Sequence, residues 1–287
     1  MKDEEQRRIG FTIQTRSSSQ RNEFDLIQSV RQRAVKQPLL ARHHPHHASL
    51  LQGIGDDGAV IKQQAGRETV ITTDLLVEDI DFRRDSTPVA FLGHKALAVS
   101  LSDLAAMGAR PRWSLLALGI PQDLWETEFV DQFYQGFFAL AERYDVRLIG
   151  GDVSRTPEKV VIDSIALGEC VAERSVYRFG AKPGDLIYVT GSLGAAAAGL
   201  RLIERGARIG QEHGEEPEWK LVQELLKRQL CPEPRVGWGL VLGEERLASG
   251  MIDISDGLSS DLNHLCSESN VGALIRANQL PVDAPVA

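Results

Sequence analysis

Apolar positions change period along the chain, and each change marks a predicted element. In "ETVITTDLLV" (68–77) side chains alternate around β-branched residues, which predicts a strand. "FLGHKALAVSLSDLAAMG" (91–108) puts Leu97, Leu101 and Leu104 on one stripe, so a helix is expected, stopped by Gly108. A strand follows at "RWSLLALGI", a long helix over 124–145, and two strands at "VRLIGGDVS" and "KVVIDSIALGEC". After the turn-like "AKPGD", the pattern predicts a strand at "LIYVTG" and helices at "SLGAAAAGLRLIERG" and "EPEWKLVQELLKRQL". Beyond the proline-marked "CPEP" come another helix, a strand at "GMIDISDG", a helix at "LSSDLNHLCSES" and a strand at "GALIRA". The expected class is α/β (α+β) in two domains, 23–170 and 171–287, with the boundary near 171–183. Residues 1–22 are polar and aperiodic and read as a disordered tail; "EFDLIQSVRQRAV" (23–35) has helical spacing.

A length of 287 residues accommodates two domains, and a net charge of −8 argues against non-specific nucleic-acid binding. Cys170, Cys231 and Cys266 are far apart and form no zinc spacing, which fits a reducing cytoplasm. No signal-like segment opens the chain, and no stretch reads as the roughly 18 apolar residues of a membrane helix. The expectation is a soluble, cytoplasmic protein. Four of the seven histidines fall within 43–47, where a proline splits the run. A solvated loop and a metal tract are both open there.

Chemistry gathers in acids that adjoin glycine, small residues or apolar strands: "GIGDDGAVI" with Asp56 and Asp57, "TTDLL" with Asp74, "SLSDLAAMG" with Asp103, "IGGDVS" with Asp152, and "IDISDG" with Asp253 and Asp256. Thr72 and Asp74 share a strand face by alternation, as do Asp253 and Ser255. Ala96, Ser100 and Asp103 make a small-residue helix face carrying one carboxylate. Each acid has an ordinary alternative: Asp256 as the cap of the next helix, Asp103 as a surface residue, Asp56 or Asp57 as a turn residue, Gly150-Gly151 as a strand-ending turn. Five such segments in one chain, without histidine or cysteine partners, favour Mg²⁺ over zinc. Mg²⁺ takes few protein carboxylates and completes its shell with phosphate oxygens, so several ions and a polyphosphate are implied. No lysine-ending phosphate loop and no protein-kinase signature occurs. The residues alone point to a Mg²⁺-dependent nucleotide enzyme of unusual type.

The segments "GIGDDGAVI", "TTDLLVEDIDF", "HKALAVSLSDLAAMGARP", "LIGGDVSR", "AKPGDLIYVTGSLG" and "IDISDGLSSDLNHL", in this order, resemble the thiamine-monophosphate kinase family. Its superfamily includes aminoimidazole ribonucleotide synthetase and selenophosphate synthetase; the reactive cysteine or selenocysteine usual near the N-terminus of the latter has no counterpart here. The resemblance covers roughly residues 23–280. It implies ATP-dependent phosphorylation of thiamine monophosphate to thiamine diphosphate, several Mg²⁺ ions, and a homodimer whose N-terminal sheets join into a barrel, with ATP and substrate meeting between the domains. It places metal-binding positions at Asp57, Thr72, Thr73, Asp74, Asp103, Asp152, Asp253 and Asp256. Nucleotide contacts fall at Gly151, Asp152, Ser255 and Arg178, for which a surface salt bridge is the alternative. Tyr134 matches an aromatic nucleotide contact or is a packing residue of its helix.

Two departures from the family pattern are visible. Asp81, in "VEDIDF", stands where the family has a histidine that contacts substrate; an acid there would act through a metal or the thiazolium cation. The family's "GGEDYELLF"-like segment and a later aromatic, which help form the thiamine site, do not occur within the 287 residues. The resemblance therefore implies a retained ATP–Mg²⁺ half-site, an incomplete thiamine half, and a C-terminal α/β domain short of strands. Two alternatives stay open: another ATP-dependent superfamily enzyme with a different small substrate, and a catalytically weak ATP-binding homologue.

Overall fold

A computed structural model of the chain describes residues 29–30, 32–33, 50–52, 60–61, 63–211, 217–284 and 286. The tail expected over 1–22, the histidine tract, and Asp56 and Asp57 lie outside the described residues. Of the helix expected over 23–35, residues 29–30 and 32–33 are described and are helical.

Strands β1 (Leu50–Gln52) and β2 (Val60–Ile61) pair antiparallel. The main sheet joins β3 (Arg67–Val77), β4 (Arg110–Pro121), β5 (Arg147–Thr156) and β6 (Val161–Val171) in the order β3-β6-β4-β5. β6 runs antiparallel to both β3 and β4, and β4 runs parallel to β5. Alternation gives this sheet two unlike faces. Val70 and Leu76 of β3, Leu116 and Leu118 of β4, and Ile162 and Ala166 of β6 point into the core. On the other face Ile71 and Leu75 are 65% and 59% exposed.

The core face is covered by α1 (Val89–Ala106) and α2 (Phe129–Arg143). The two helices meet backbone to backbone. A Cβ on Gly93 would lie 1.9 Å from the Phe133 carbonyl oxygen, and one on Gly136 would lie 1.7 Å from that of Ala90, so only glycine fits at either crossing point. The long helix expected over 124–145 begins later, at Phe129, after a 3₁₀ turn at Gln122–Leu124. Trp125 Nε1 donates to the Ile120 carbonyl and Thr127 Oγ1 accepts from Phe129 N, which turns the chain before the helix starts.

α1 also corrects the expectation that no segment reaches membrane-spanning length. By length and composition it does. Ala96, Leu97, Leu101 and Leu104 are fully buried between the sheet and α2, the place of a core helix in a water-soluble domain.

The second half contains α3 (Ala195–Glu204), α4 (Pro217–Leu230), α5 (Val236–Glu244) and α6 (Leu258–Ser269). Ile203, Leu226 and Leu230 form a small core between α3 and α4, and α5 packs on α1. The strands expected at "LIYVTG", "GMIDISDG" and "GALIRA" do not form. An isolated bridge from Leu193 to Val282 is the only β pairing among the described residues after β6. β-rich composition makes a strand only where a partner closes the ladder. Leu186, Tyr188 and Leu274 of these runs are 76%, 81% and 82% exposed.

Candidate active site

The last turns of α1 lie over β3 and β6 and against the segment that leads into α6. Three hydroxyls gather three carboxylates there. Thr72 of β3 donates to Asp103 Oδ2 of α1. Ser100 Oγ of α1 donates to Asp74 Oδ2 of β3 at 2.7 Å. Ser102 Oγ of α1 donates to Asp253 Oδ2 of the second half at 3.0 Å. Asp74, Asp103 and Asp253 thus converge from a strand, a helix and an irregular segment, at the seam between the two halves.

The carboxylates feel one another. Burial pushes the Asp74 carboxyl up to about 6 against the Ser100 bond, with repulsion from Asp103, Asp253 and Asp163 adding to the rise. Burial also raises Asp253 against the Ser102 bond, with Asp103 and Asp261 adding repulsion. Among the described residues, no group of three His, Cys, Asp or Glu side chains stands close enough to share one ion. Mg²⁺ fits this donor set, because one or two carboxylates suffice and water and phosphate oxygens complete its shell. An all-oxygen set also matches its hardness.

The other predicted residues are distributed differently. Side-chain alternation and the register place Thr73 and Asp152 on the open face of the sheet, with Asp163 between their strands. Thr73 Oγ1 donates to Asp163 Oδ1 at 2.6 Å. Ala117 on β4 is flanked by Asp152 and Asp163. Gly151 sits at φ 152°, and a Cβ there would lie 2.0 Å from the Leu116 carbonyl oxygen. Asp81 closes the turn after β3 by accepting from Val77 N at 2.8 Å, and its carbonyl accepts from Lys95 Nζ of α1 at 3.1 Å. Arg178 is exposed and its carbonyl accepts from Ser269 Oγ. Tyr134 is buried against Phe133, Phe137 and Phe138, and burial raises its hydroxyl pKa. Its surroundings are those of a packing residue.

Asp256 is not the cap of α6. Gly257 holds the N-cap position without a side-chain bond. Buried Asp261, one turn inside the helix, accepts from Ser255 N at 3.1 Å and Gly257 N at 3.0 Å instead. Sequence reasoning missed Asp261, as it missed Ser102, Ser164, Lys95 and Asp163. For Asp163 a signal existed: it is an acid inside the apolar alternation of "VVIDSIALG".

Comparison with known proteins gives this geometry a family. The N-terminal domain of AIR synthase related proteins matches residues 55–170 and their C-terminal domain matches 182–287. Thiamine-monophosphate kinase of Buchnera aphidicola subsp. Schizaphis graminum is 36% identical over 261 residues, covering 91% of this chain and 74% of that protein. The crystal structure of thiamine-monophosphate kinase from Stenotrophomonas maltophilia K279a is 38% identical and superposes with a TM-score of 0.76, covering 91% of this chain and 76% of its own. A structure of AaThiL complexed with AMPPCP and TMP is 32% identical with a TM-score of 0.70, covering 92% and 75% of the two chains. With both domains matched and three-quarters of each of these relatives spanned, the chain belongs to the thiamine-monophosphate kinase family of AIR synthase related proteins.

Proposed function

We propose that this chain transfers the terminal phosphoryl group of ATP to the phosphate of thiamine monophosphate, giving thiamine diphosphate and ADP. The convergence of Asp74, Asp103 and Asp253 under three hydroxyls carries the reading. The relative solved with AMPPCP and TMP supports both substrates.

The attacking oxygen belongs to a phosphate and is already anionic, so no general base is needed. The barrier is the approach of two anions. Two unit charges about 4 Å apart repel by about 4 kcal/mol at an effective dielectric near 20, and each phosphate carries more than one. Mg²⁺, when bound, would supply the charge that neutralises this repulsion. Asp74, Asp103 and Asp253 with Thr72 would hold the ions, and the family resemblance adds Thr73, Asp57, Asp152 and Asp256. Gly151, Asp152, Ser255 and Arg178 are assigned to the nucleotide, and Asp81 to the thiamine end.

The same reading divides the chain near residues 171–183 and pairs two copies through the open face of the main sheet. Three free cysteines support a cytoplasmic location. The test is formation of thiamine diphosphate from ATP, Mg²⁺ and thiamine monophosphate. Turnover that Asp103→Asn lowers at least about 100-fold is expected; turnover only with another acceptor, or analogue binding without turnover, would overturn the assignment.

A further inference from the structure

Ser100 and Ser102 sit inside α1, two residues apart and on different faces. Serine is a poorer helix former than alanine, and a helical serine commonly bonds its own backbone four residues back. Neither does so here. Ser100 is fully buried, and its hydroxyl reaches Asp74 Oδ2 at 2.7 Å, the Ser164 carbonyl at 3.1 Å and Ser164 Oγ at 3.2 Å. One hydroxyl has one proton, and the shortest contact gives it to Asp74. Ser164 Oγ, also fully buried, lies 3.2 Å from Ser100 Oγ. The result is a buried pair of hydroxyls beside one carboxylate oxygen. Ser102 makes the corresponding bond to Asp253, 151 positions away in the other half.

We infer that Ser100 and Ser102 are positioning residues, which orient Asp74 and Asp253 for divalent-cation binding and so tie metal loading to the docking of the second half on α1. Each bond fixes one oxygen of a carboxylate that is surrounded by other acids and has no basic hydrogen-bond partner among the described residues. Without the hydroxyl, repulsion from neighbouring acids would turn the group away from a cation-binding orientation. The inference rests on the metal-dependent kinase reading, but its test does not depend on turnover.

Mn²⁺ binding to the full chain, read by electron paramagnetic resonance, gives that test. Ser100→Ala and Ser102→Ala should weaken Mn²⁺ binding by about 10–100-fold, the usual effect of removing a group that orients a metal ligand. Two controls accompany them. Ser102→Thr keeps the hydroxyl and should restore affinity. Ser114→Ala removes a fully buried hydroxyl with no hydrogen-bond partner among the described residues, and should bind Mn²⁺ as the parent does. If Ser100→Ala does not fold, Ser102→Ala, at a half-buried position, carries the same test. Affinities within twofold of the parent in the alanine variants would overturn the inference, as would absence of Mn²⁺ binding by the parent. Serine-dependent Mn²⁺ binding without thiamine diphosphate formation would support the positioning role and refute the kinase reading instead.

Discussion

Asp74 shows what the site costs when no cation is present. Its carboxyl is raised to about 6 from 3.8, chiefly by burial. Between those values the folded chain holds a proton that the unfolded chain has released, so stability falls as pH rises through the window. Above about 6 the cost is fully present. Each pH unit of displacement is worth about 1.4 kcal/mol, and solvent on part of the group screens this to about 1–2 kcal/mol in all. Asp74→Asn keeps an acceptor for Ser100 and removes the charge. In metal-free buffer it should be more stable than the parent by that amount at pH 7–8, with the gap closing toward pH 4, while kinase activity is lost. Urea unfolding from pH 4 to 8 measures it; equal stability at pH 7 would show that the acids are not in conflict. Asp74 and Asp103 were legible in the sequence because acids beside small residues at strand and helix spacing stand out. Ser102 and Ser164 were not, since a serine's importance lies in a partner that spacing does not reveal.

At the scale of elements, the four long strands and the helices α1 and α3–α6 were legible because each repeats one period over ten or so residues. The three strands expected in the second half were not realised, because pairing is a non-local property and composition reports only half of it. The segment "CPEP" was legible as a break, but not as a clamp. His94 of α1 donates from Nε2 to the Pro232 carbonyl at 2.7 Å. At the end of α2, Tyr144 bonds Glu233 at 2.6 Å and Arg143 pairs with the same carboxylate. Burial holds His94 below its ordinary 6.5, and nearby Arg143 adds to this against the Pro232 bond. The neutral ring is therefore the folded form, and its contribution is present above 6.5 and lost as pH falls below it. His94→Gln retains a donor for Pro232 without a titrating ring. It should flatten the decline in urea midpoint between pH 6.5 and 5; an unchanged slope would remove His94 from the acid sensitivity of the fold.

At the scale of the whole molecule, the main sheet carries helices on one face only among the described residues. Ile71 pairs in register with Leu167, and Thr73 with Ile165, on the face that α1 and α2 leave open. The exposed apolar side chains of this face fit an interaction surface, and a two-fold pairing of copies would bury them on both at once. Fully burying an isoleucine is worth about 1.5–3 kcal/mol, and in a two-fold interface every side chain counts twice. Ile71→Lys would bring two like charges into such an interface while leaving the core face of β3 untouched. If the parent is a dimer, the variant should sediment as a monomer at the same concentration, with its helical circular dichroism retained. A variant that stays dimeric would assign the pairing of copies to another surface, and a monomeric parent would leave this face to a different partner.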